Sequence, residues 1–366
     1  MRNATDDRRL KRMSNRFALL AIGALTAATA LAFAYVGGWL SPQRLSPTRM
    51  IGAFQQVNGA HPGFRRNHAK GLCVTGHFDS NGAGRSLSKA EVFAPGRVSV
   101  VGRFALAGGN PFQADANRTV RSLALRFSLP DGQEWRTGMN AIPVFPVNTP
   151  QAFYEQLLAG TPDAATGKPD PARMTDFLAR HPESARALAI LGSEPNSSGF
   201  ANSRFNSLDA FRFVAASGVT TSVRWAMVPN EAFAAQDPTD PHRASQNYLF
   251  DALIAQLQQE PLQWHLMVTI ARPGDPTNDA TQPWPVDREQ VDVGILTVEH
   301  AQGEDNGACG DINFDPLVLP SGIEPSDDPL LSARSAVYSR SFTLRSGETK
   351  PPSAVQTPAG PAGERP

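Results

Sequence analysis

An uncharged run of 24 residues, Phe17 to Leu40, is the strongest single constraint in this sequence. A helix of that length crosses a bilayer with some tilt. Six basic side chains precede it (Arg2, Arg8, Arg9, Lys11, Arg12, Arg16), against Asp6 and Asp7. The positive-inside rule then keeps residues 1–16 in the cytoplasm as a basic segment and sends everything after residue 40 to the periplasmic or extracytoplasmic side. Tyr35 and Trp39 fall near the far end, where interfacial aromatics collect. The run exceeds the apolar region of about 7–15 residues found in signal peptides, so the reading is an uncleaved single-pass anchor over 17–40. A signal peptide cleaved at the small residues around Ala32 and Ala34 is the alternative.

The exported part reads as one folded unit. Residues 41–49 (SPQRLSPTR) form a Pro/Ser linker, and 349–366 are rich in Pro, Gly and Ala without an apolar pattern, which predicts disorder. The folded domain is therefore expected over 50–348. Lys plus Arg and Asp plus Glu both total 34, so the formal net charge is zero. Nucleic acid as the main partner needs a basic excess and is excluded on that ground. The two cysteines, Cys73 and Cys309, are too few for a four-cysteine zinc site. They could pair in an oxidising compartment or remain buried thiols.

Strand patterns dominate. Val98–Ala107 is β-branched at its start, and Ser122–Leu129 alternates with Leu123, Leu125, Phe127 and Leu129 on one face. Further strands are expected at Ala210–Val214, Thr220–Met227, Trp264–Ile270 and Val291–Val298. Helices are expected at Gln151–Ala159, Met174–Leu191 with a break near Pro182, Tyr248–Gln259 and Ser326–Arg345. The last opens on Ser-Asp-Asp-Pro, an N-cap followed by an early proline. Strands without regularly alternating helices predict an α+β chain built on an antiparallel barrel or sandwich.

No G-x-S-x-G, P-loop or H-E-x-x-H occurs, and the seven histidines form no spaced ligand pair. Three other segments stand out: Arg65-Arg66-Asn67-His68-Ala69-Lys70-Gly71, Gly138-Met139-Asn140-Ala141-Ile142-Pro143-Val144-Phe145, and Arg334-Ser335-Ala336-Val337-Tyr338. Together with Val98–Phe104, Arg118–Phe127, Leu249-Phe250-Asp251-Ala252, Trp284-Pro285, Val293–Leu296, Phe314-Asp315-Pro316 and Pro320–Pro325, they resemble the catalase superfamily. The order and spacing are those of its short membrane-anchored branch of catalase-related peroxidases. The resemblance implies an antiparallel β-barrel of the catalase type with flanking helices, preceded here by one transmembrane helix. It also implies haem b as cofactor.

The resemblance assigns roles residue by residue. Tyr338 is the axial iron ligand, a hard phenolate. Arg334, four residues earlier, shares its helix face and helps keep it ionised. Arg65, Arg103 and Arg345 take the haem propionates, for which the planar guanidinium fork is suited. Phe153 stacks on the distal face. His68 is the acid–base residue, which must be largely neutral, and Asn140 donates a hydrogen bond to the peroxide. The implied activity is a haem peroxidase that reduces hydrogen peroxide or organic hydroperoxides with a small organic electron donor, with room for weak catalase activity.

Some positions depart from the larger catalases. Thr119 stands where they carry a channel aspartate, Asn67 where many have an apolar residue, and Ala105 where a serine supports the distal histidine. The last departure predicts a less firmly held His68. The N-terminal arm and C-terminal helical region of the larger enzymes have no counterpart, which predicts a monomer or dimer rather than a tight tetramer. Two other functions share such a scaffold: hydroperoxide dehydratases of the allene-oxide type, and a non-catalytic haem- or lipid-binding barrel. Retention of both His68 and Asn140 argues against the carrier.

Overall fold

The computed structural model describes residues 4–36, 45–116, 119–163 and 165–357. The chain divides into two compact units, residues 1–46 and 47–366. In the first, helix α1 runs Ala4–Val36, and its stretch Phe17–Val36 is long and apolar enough to cross a membrane. The hydroxyls of Thr26 and Thr29 donate to the carbonyls of Ile22 and Leu25, each at 2.9 Å. Both threonine hydroxyls on the apolar stretch therefore find acceptors within their own helix. Residues 37–40, the end of the expected span, lie outside the described residues.

The second unit is built on a sheet whose strands are β1 (Gly71–Ser80), β2 (Gly96–Leu106), β3 (Arg121–Ser128), β4 (Glu134–Asn140), β5 (Phe205–Asn206), β6 (Phe211–Val214), β7 (Thr220–Pro229), β8 (Leu262–Ile270), β9 (Gln290–Gln302) and β10 (Ile323–Pro325). Every pairing is antiparallel. The order β1-β2-β3-β4-β5-β7-β8-β9 closes on itself through β9 and β1, giving an eight-stranded barrel. Strands β6 and β10 extend one edge as a flap. Closure removes the unpaired edges that an open sheet would expose.

The alternation expected for Ser122–Leu129 holds. Leu123, Leu125 and Phe127 are fully buried in the barrel core with Phe104, Trp135 and Trp225. Side chains of opposite parity point out of the barrel: Arg103 and Ala105 on β2, Ser122 and Ala124 on β3, Gly138 and Asn140 on β4. Four of these six are small and the other two, Arg103 and Asn140, are polar, and they floor a cavity on the barrel's outer wall.

Helices α2 (Pro47–Asn58), α3 (Pro150–Ala159), α5 (Pro182–Ser193) and α7 (Pro329–Ser346) face that cavity, α4 (Pro171–Arg180) packs on α3 and α5, and α6 (Tyr248–Leu257) packs against β9. The break at Pro182 separates α4 from α5, as expected. Prolines sit at the first turn of α3, α4 and α7, where a missing N–H costs nothing. Thr149, Asp170 and Asp328 cap them through side-chain oxygens. Helices α2, α3 and α7 pack against one another.

Two expectations need correction, and one question left open is decided. The linker ends earlier than residue 49, because Pro47 opens α2 in the same helix-starting position. The C-terminal segment stays ordered past Glu348: Val355 is fully buried, Ser353 donates to Asp305 at 2.6 Å, and Lys350 pairs with Asp311 at 2.6 Å. One buried apolar side chain and two polar anchors suffice to hold so short a segment. Residues 358–366 and Arg118 lie outside the described residues. The cysteines are joined: Cys73 on β1 and Cys309 beyond β9 form a disulfide, their Cα atoms 5.3 Å apart across 236 residues of sequence.

Candidate active site

A cavity of about 530 Å³ lies between the outer wall of the barrel and helices α2, α3, α5 and α7. His68, Asn140, Tyr338, Arg334, Arg65, Arg103, Arg345 and Phe153 all line it. Helix α7 delivers its share through one face: Arg334, Val337, Tyr338, Ser341, Phe342 and Arg345 recur every three or four residues. Few residues of α7 are fully buried, since that face borders open space.

One end of the cavity is polar and tightly wired. His68 sits in the loop before β1 with φ of 54°. A non-glycine residue there stores about 1–3 kcal/mol of strain, which surrounding contacts must hold. Asn67 helps hold it: its side-chain oxygen accepts from the backbone N–H of His68 at 3.0 Å and of Gly108 at 2.9 Å. Asn67 therefore braces the loop. The His68 Nδ1 lies 3.0 Å from the Ser122 hydroxyl, which donates to Asn140 Oδ1 at 2.6 Å. His68 is thus held despite Ala105, because Ser122 is the register partner of Ala105 on the neighbouring strand. Burial, then the positive fields of Arg103, Arg334 and Arg65, push its pKa down to about 3. The imidazole is neutral across the physiological range.

Tyr338, like Val101 and Ala124, packs against the buried cluster of Cys73, Cys309, Ile312 and Phe314. Arg334 bonds the Asp209 carboxylate and donates to the Gly138 carbonyl at 3.2 Å. Burial works against the Arg334 charge, but Asp209 and Tyr338 outweigh it and raise its pKa above the ordinary value. Asp328, nearby on the N-cap of α7, is pushed up to about 7 by burial and by Asp209.

The arginines form a third group. Arg103 donates twice to Glu304, both at 2.8 Å, and Arg65 Nε lies 3.6 Å from the same carboxylate. Arg65 also donates to the carbonyls of Cys309 and Ile312 at 3.0 and 3.2 Å, and Arg345 donates to that of Gly310. The disulfide pins the segment that offers these acceptors. Burial and the neighbouring Arg103 lower the Arg65 pKa to about 9. Burial opposes the Glu304 charge, yet Arg103, Arg65 and Arg345 overcome it and hold its pKa below the ordinary range. Gly71 makes this packing feasible: a Cβ there would stand 2.3 Å from the Arg103 guanidinium. Within this group of three arginines, Arg345 Nη2 and Arg65 Nε, the latter only in ion-pair range of Glu304, are buried without a hydrogen-bond partner among the described residues. Buried donors of this kind mark a place for an acceptor.

Phe153 completes an apolar wall, with Phe54 5.9 Å away edge-on and Phe145 at 5.5 Å. Sequence reading missed Ser122, Asp209 and Glu304. Ser122 was hidden because strand register decides which residue faces His68. Asp209 and Glu304 lie in irregular segments without a spacing signal. Thr119 donates to the Ala107 carbonyl at 3.0 Å.

A closed eight-stranded antiparallel barrel bearing a histidine–asparagine pair and a tyrosine–arginine pair around one external cavity defines a catalase-type architecture. The structure superposes on a fungal catalase with a TM-score of 0.68 at 19% identity, over 78% of this chain and 60% of that one. Catalase A from Saccharomyces cerevisiae gives 0.69 at 19% identity, over 77% and 61%. The chain thus spans about three-fifths of the length of these solved catalases. A family model described as catalase matches residues 41–359, and the chain belongs to the catalase family. Among curated relatives, a catalase-related peroxidase of Synechococcus elongatus is 37% identical, covering 91% of this chain and 98% of its own. Another of that description from Mycolicibacterium paratuberculosis is 34% identical, covering 83% and 96%.

Proposed function

We propose that this protein is a haem-dependent peroxidase that reduces hydrogen peroxide or organic hydroperoxides with a small organic electron donor. The observation that carries this reading is one cavity holding a neutral histidine beside an asparagine, a tyrosine beside an arginine, and two arginines with bare buried donors. The residues fit haem b. Arg65, Arg103 and Arg345 would hold its propionates, Tyr338 would ligate iron, and Phe153 would stack on the macrocycle. When bound, the haem iron supplies the electrons that split the peroxide O–O bond and recovers them from the donor.

The protein's own part is proton handling and charge. His68 accepts the proton of the incoming peroxide at Nε2 and returns it to the departing oxygen. Asn140 donates through its amide to the peroxide oxygen, where negative charge develops. Arg334, its charge secured by Asp209, favours the ionised phenol of Tyr338. The apolar wall around Phe153 limits water at the reacting end.

The anchor belongs to the same reading. Residues 1–16 lie in the cytoplasm, 17–40 span the membrane, and the haem domain stands outside. The Cys73–Cys309 bond supports this, since such bonds persist in oxidising compartments. A reporter fused after Pro366 should be active only if it functions outside the cytoplasm. A mature chain starting near Tyr35 would instead reveal signal cleavage.

The central test uses purified protein, its visible spectrum and steady-state turnover. The protein should show a Soret band and consume cumene hydroperoxide or hydrogen peroxide with a dye donor. Tyr338→Phe should lose haem or change the ligand-to-metal bands. Normal haem content with an unchanged spectrum would remove Tyr338 as ligand. Hydroperoxide loss independent of donor would point to dehydratase chemistry instead.

A further inference from the structure

Ala105 and Ser122 face each other in the register of β2 and β3, and both line the cavity beside His68. The Ser122 hydroxyl touches two groups at once: His68 Nδ1 at 3.0 Å and Asn140 Oδ1 at 2.6 Å. A serine hydroxyl has one hydrogen to donate and two lone pairs to accept with. An amide oxygen can only accept. The hydrogen of Ser122 therefore goes to Asn140, and Ser122 must accept from His68.

We propose, building on the peroxidase reading, that Ser122 is the positioning residue of the distal pair: its single hydroxyl locks the tautomer of His68 to the amide orientation of Asn140. The logic runs atom by atom. Because Ser122 accepts from Nδ1, the imidazole proton sits on Nδ1, and Nε2 is left as the bare base. Because Oδ1 of Asn140 is engaged, its Nδ2 hydrogens are the ones turned free for a ligand. The opposite wiring is equally self-consistent in hydrogen-bond terms: Nδ2 donates to Ser122, and Ser122 donates to Nδ1. That state presents an N–H at Nε2 and an oxygen from Asn140, so no base is left to take the peroxide proton and no amide donor to stabilise the peroxide oxygen. One hydroxyl thus couples two catalytic residues, and neither can turn without the other.

The serine also comes from a different strand than the resemblance implied. Ala105 removes a hydroxyl from β2, and Ser122 supplies one from β3. A serine on β3 is beside both His68 and Asn140, whose strand β4 pairs with β3 as Ser122↔Asn140. A serine at 105 lies one strand further from Asn140. The relocation therefore adds the asparagine link.

The test compares full-length, haem-loaded wild type with Ser122→Ala, Ser122→Thr and the double variant Ala105→Ser/Ser122→Ala. His68→Ala serves as the reference. Three readouts are taken: the second-order rate with peroxide, the association rate of cyanide, and the rate of donor oxidation once the enzyme is oxidised. Cyanide arrives as HCN and must give its proton to the distal base, so it reports His68 without peroxide turnover. Haem content and melting temperature monitor simple structural loss. Ser122→Ala should slow peroxide reaction and cyanide association about 10–100-fold, from two hydrogen bonds lost together, with donor oxidation unchanged. Ser122→Thr keeps the hydroxyl and should stay within about threefold of wild type. The double variant should recover cyanide association, which needs only His68, while peroxide reaction stays slow for want of the Asn140 link. Wild-type rates in Ser122→Ala beside a slow His68→Ala would overturn the Ser122 proposal alone. Wild-type rates in His68→Ala would end the assignment of His68 as the acid–base residue on which the proposal rests, whereas a haem-loaded wild type that does not react with peroxide would overturn the peroxidase reading itself. Slowing of all three steps with haem loss would reduce Ser122 to a structural residue and equally overturn the proposal.

Discussion

Arg103 grips the Glu304 carboxylate with two hydrogen bonds of 2.8 Å, in the middle of the wall that Arg65 and Arg345 complete. Three guanidinium charges and one carboxylate leave a net charge of two positive units facing the cavity. Two haem propionates would match that charge. Glu304 thus holds the arginines in place before any cofactor arrives.

Glu304→Gln should accordingly separate apo from loaded protein. Without haem, the variant leaves Arg103 buried and unpaired beside Arg65, a loss of about 3–5 kcal/mol. With haem, propionates restore the countercharge. The stabilisation on haem binding, measured as the shift in melting temperature, should be larger in Glu304→Gln than in wild type. An equal shift would show that Glu304 and the cofactor do not share the arginines.

The disulfide anchors the segment whose Cys309 and Ile312 carbonyls accept from Arg65. Replacing both cysteines by alanine should cost about 2–4 kcal/mol of stability. It should also accelerate haem loss, because Arg65 loses fixed acceptors. Transfer of haem to apomyoglobin measures the second effect. Unchanged transfer with a lowered melting temperature would confine the bond to a folding role.

Asp328 carries a pH signature. Its pKa is about 7 in the fold against 3.8 for the ordinary group, so the folded state holds a proton that the unfolded state has lost between these values. Stability from this group is therefore greatest near pH 4 and falls as pH rises towards 7, then levels. Asp328→Asn keeps the oxygen that caps Leu330 and deletes the charge beside Asp209. The variant should match wild type at pH 4 and exceed it at pH 8 in denaturant titrations. A constant difference across that range would contradict the raised value.

His68 should act as a base with no titration in the usual histidine range. With its pKa near 3, the bimolecular peroxide rate should stay level from pH 8 down to pH 5. His68→Ala should lower that rate by about 10²–10⁴-fold, or about 3–5 kcal/mol, at matched haem occupancy. Asn140→Ala should lose less, since it removes a donor and no proton carrier. Stopped-flow Soret spectroscopy checks all three statements, and near-wild-type rates in His68→Ala would end its assignment.

Much of this site was legible before the fold. His68, Asn140, Phe153, Tyr338 and the four arginines lie in local segments whose residue types and order carry the family resemblance. Strands whose two faces differ, such as Arg121–Ser128, announce themselves by alternation. Strand β1 does not: Gly71 and Gly76 blur its pattern, and Gly71 is present because Arg103 lies across it. Strand β4, with Glu134 and Arg136 on its outer face, reads as a polar loop.

Sequence by itself determined the N-terminal apolar helix, the all-antiparallel character of the domain, and the residues gathered around the cavity. The helix and the strands depend on local composition and on spacing along one element, where hydrophobic period and steric preference act over a few residues, while the site residues came from the resemblance to the catalase family. Only the tertiary structure decided that Ser122 stands in for the missing serine at Ala105, that Glu304 sits among three arginines, and that Asp209 backs Arg334. Those contacts join residues 54, 201 and 125 positions apart. They depend on strand register and barrel closure, which arise when the whole chain buries its core, and no single stretch of sequence encodes them.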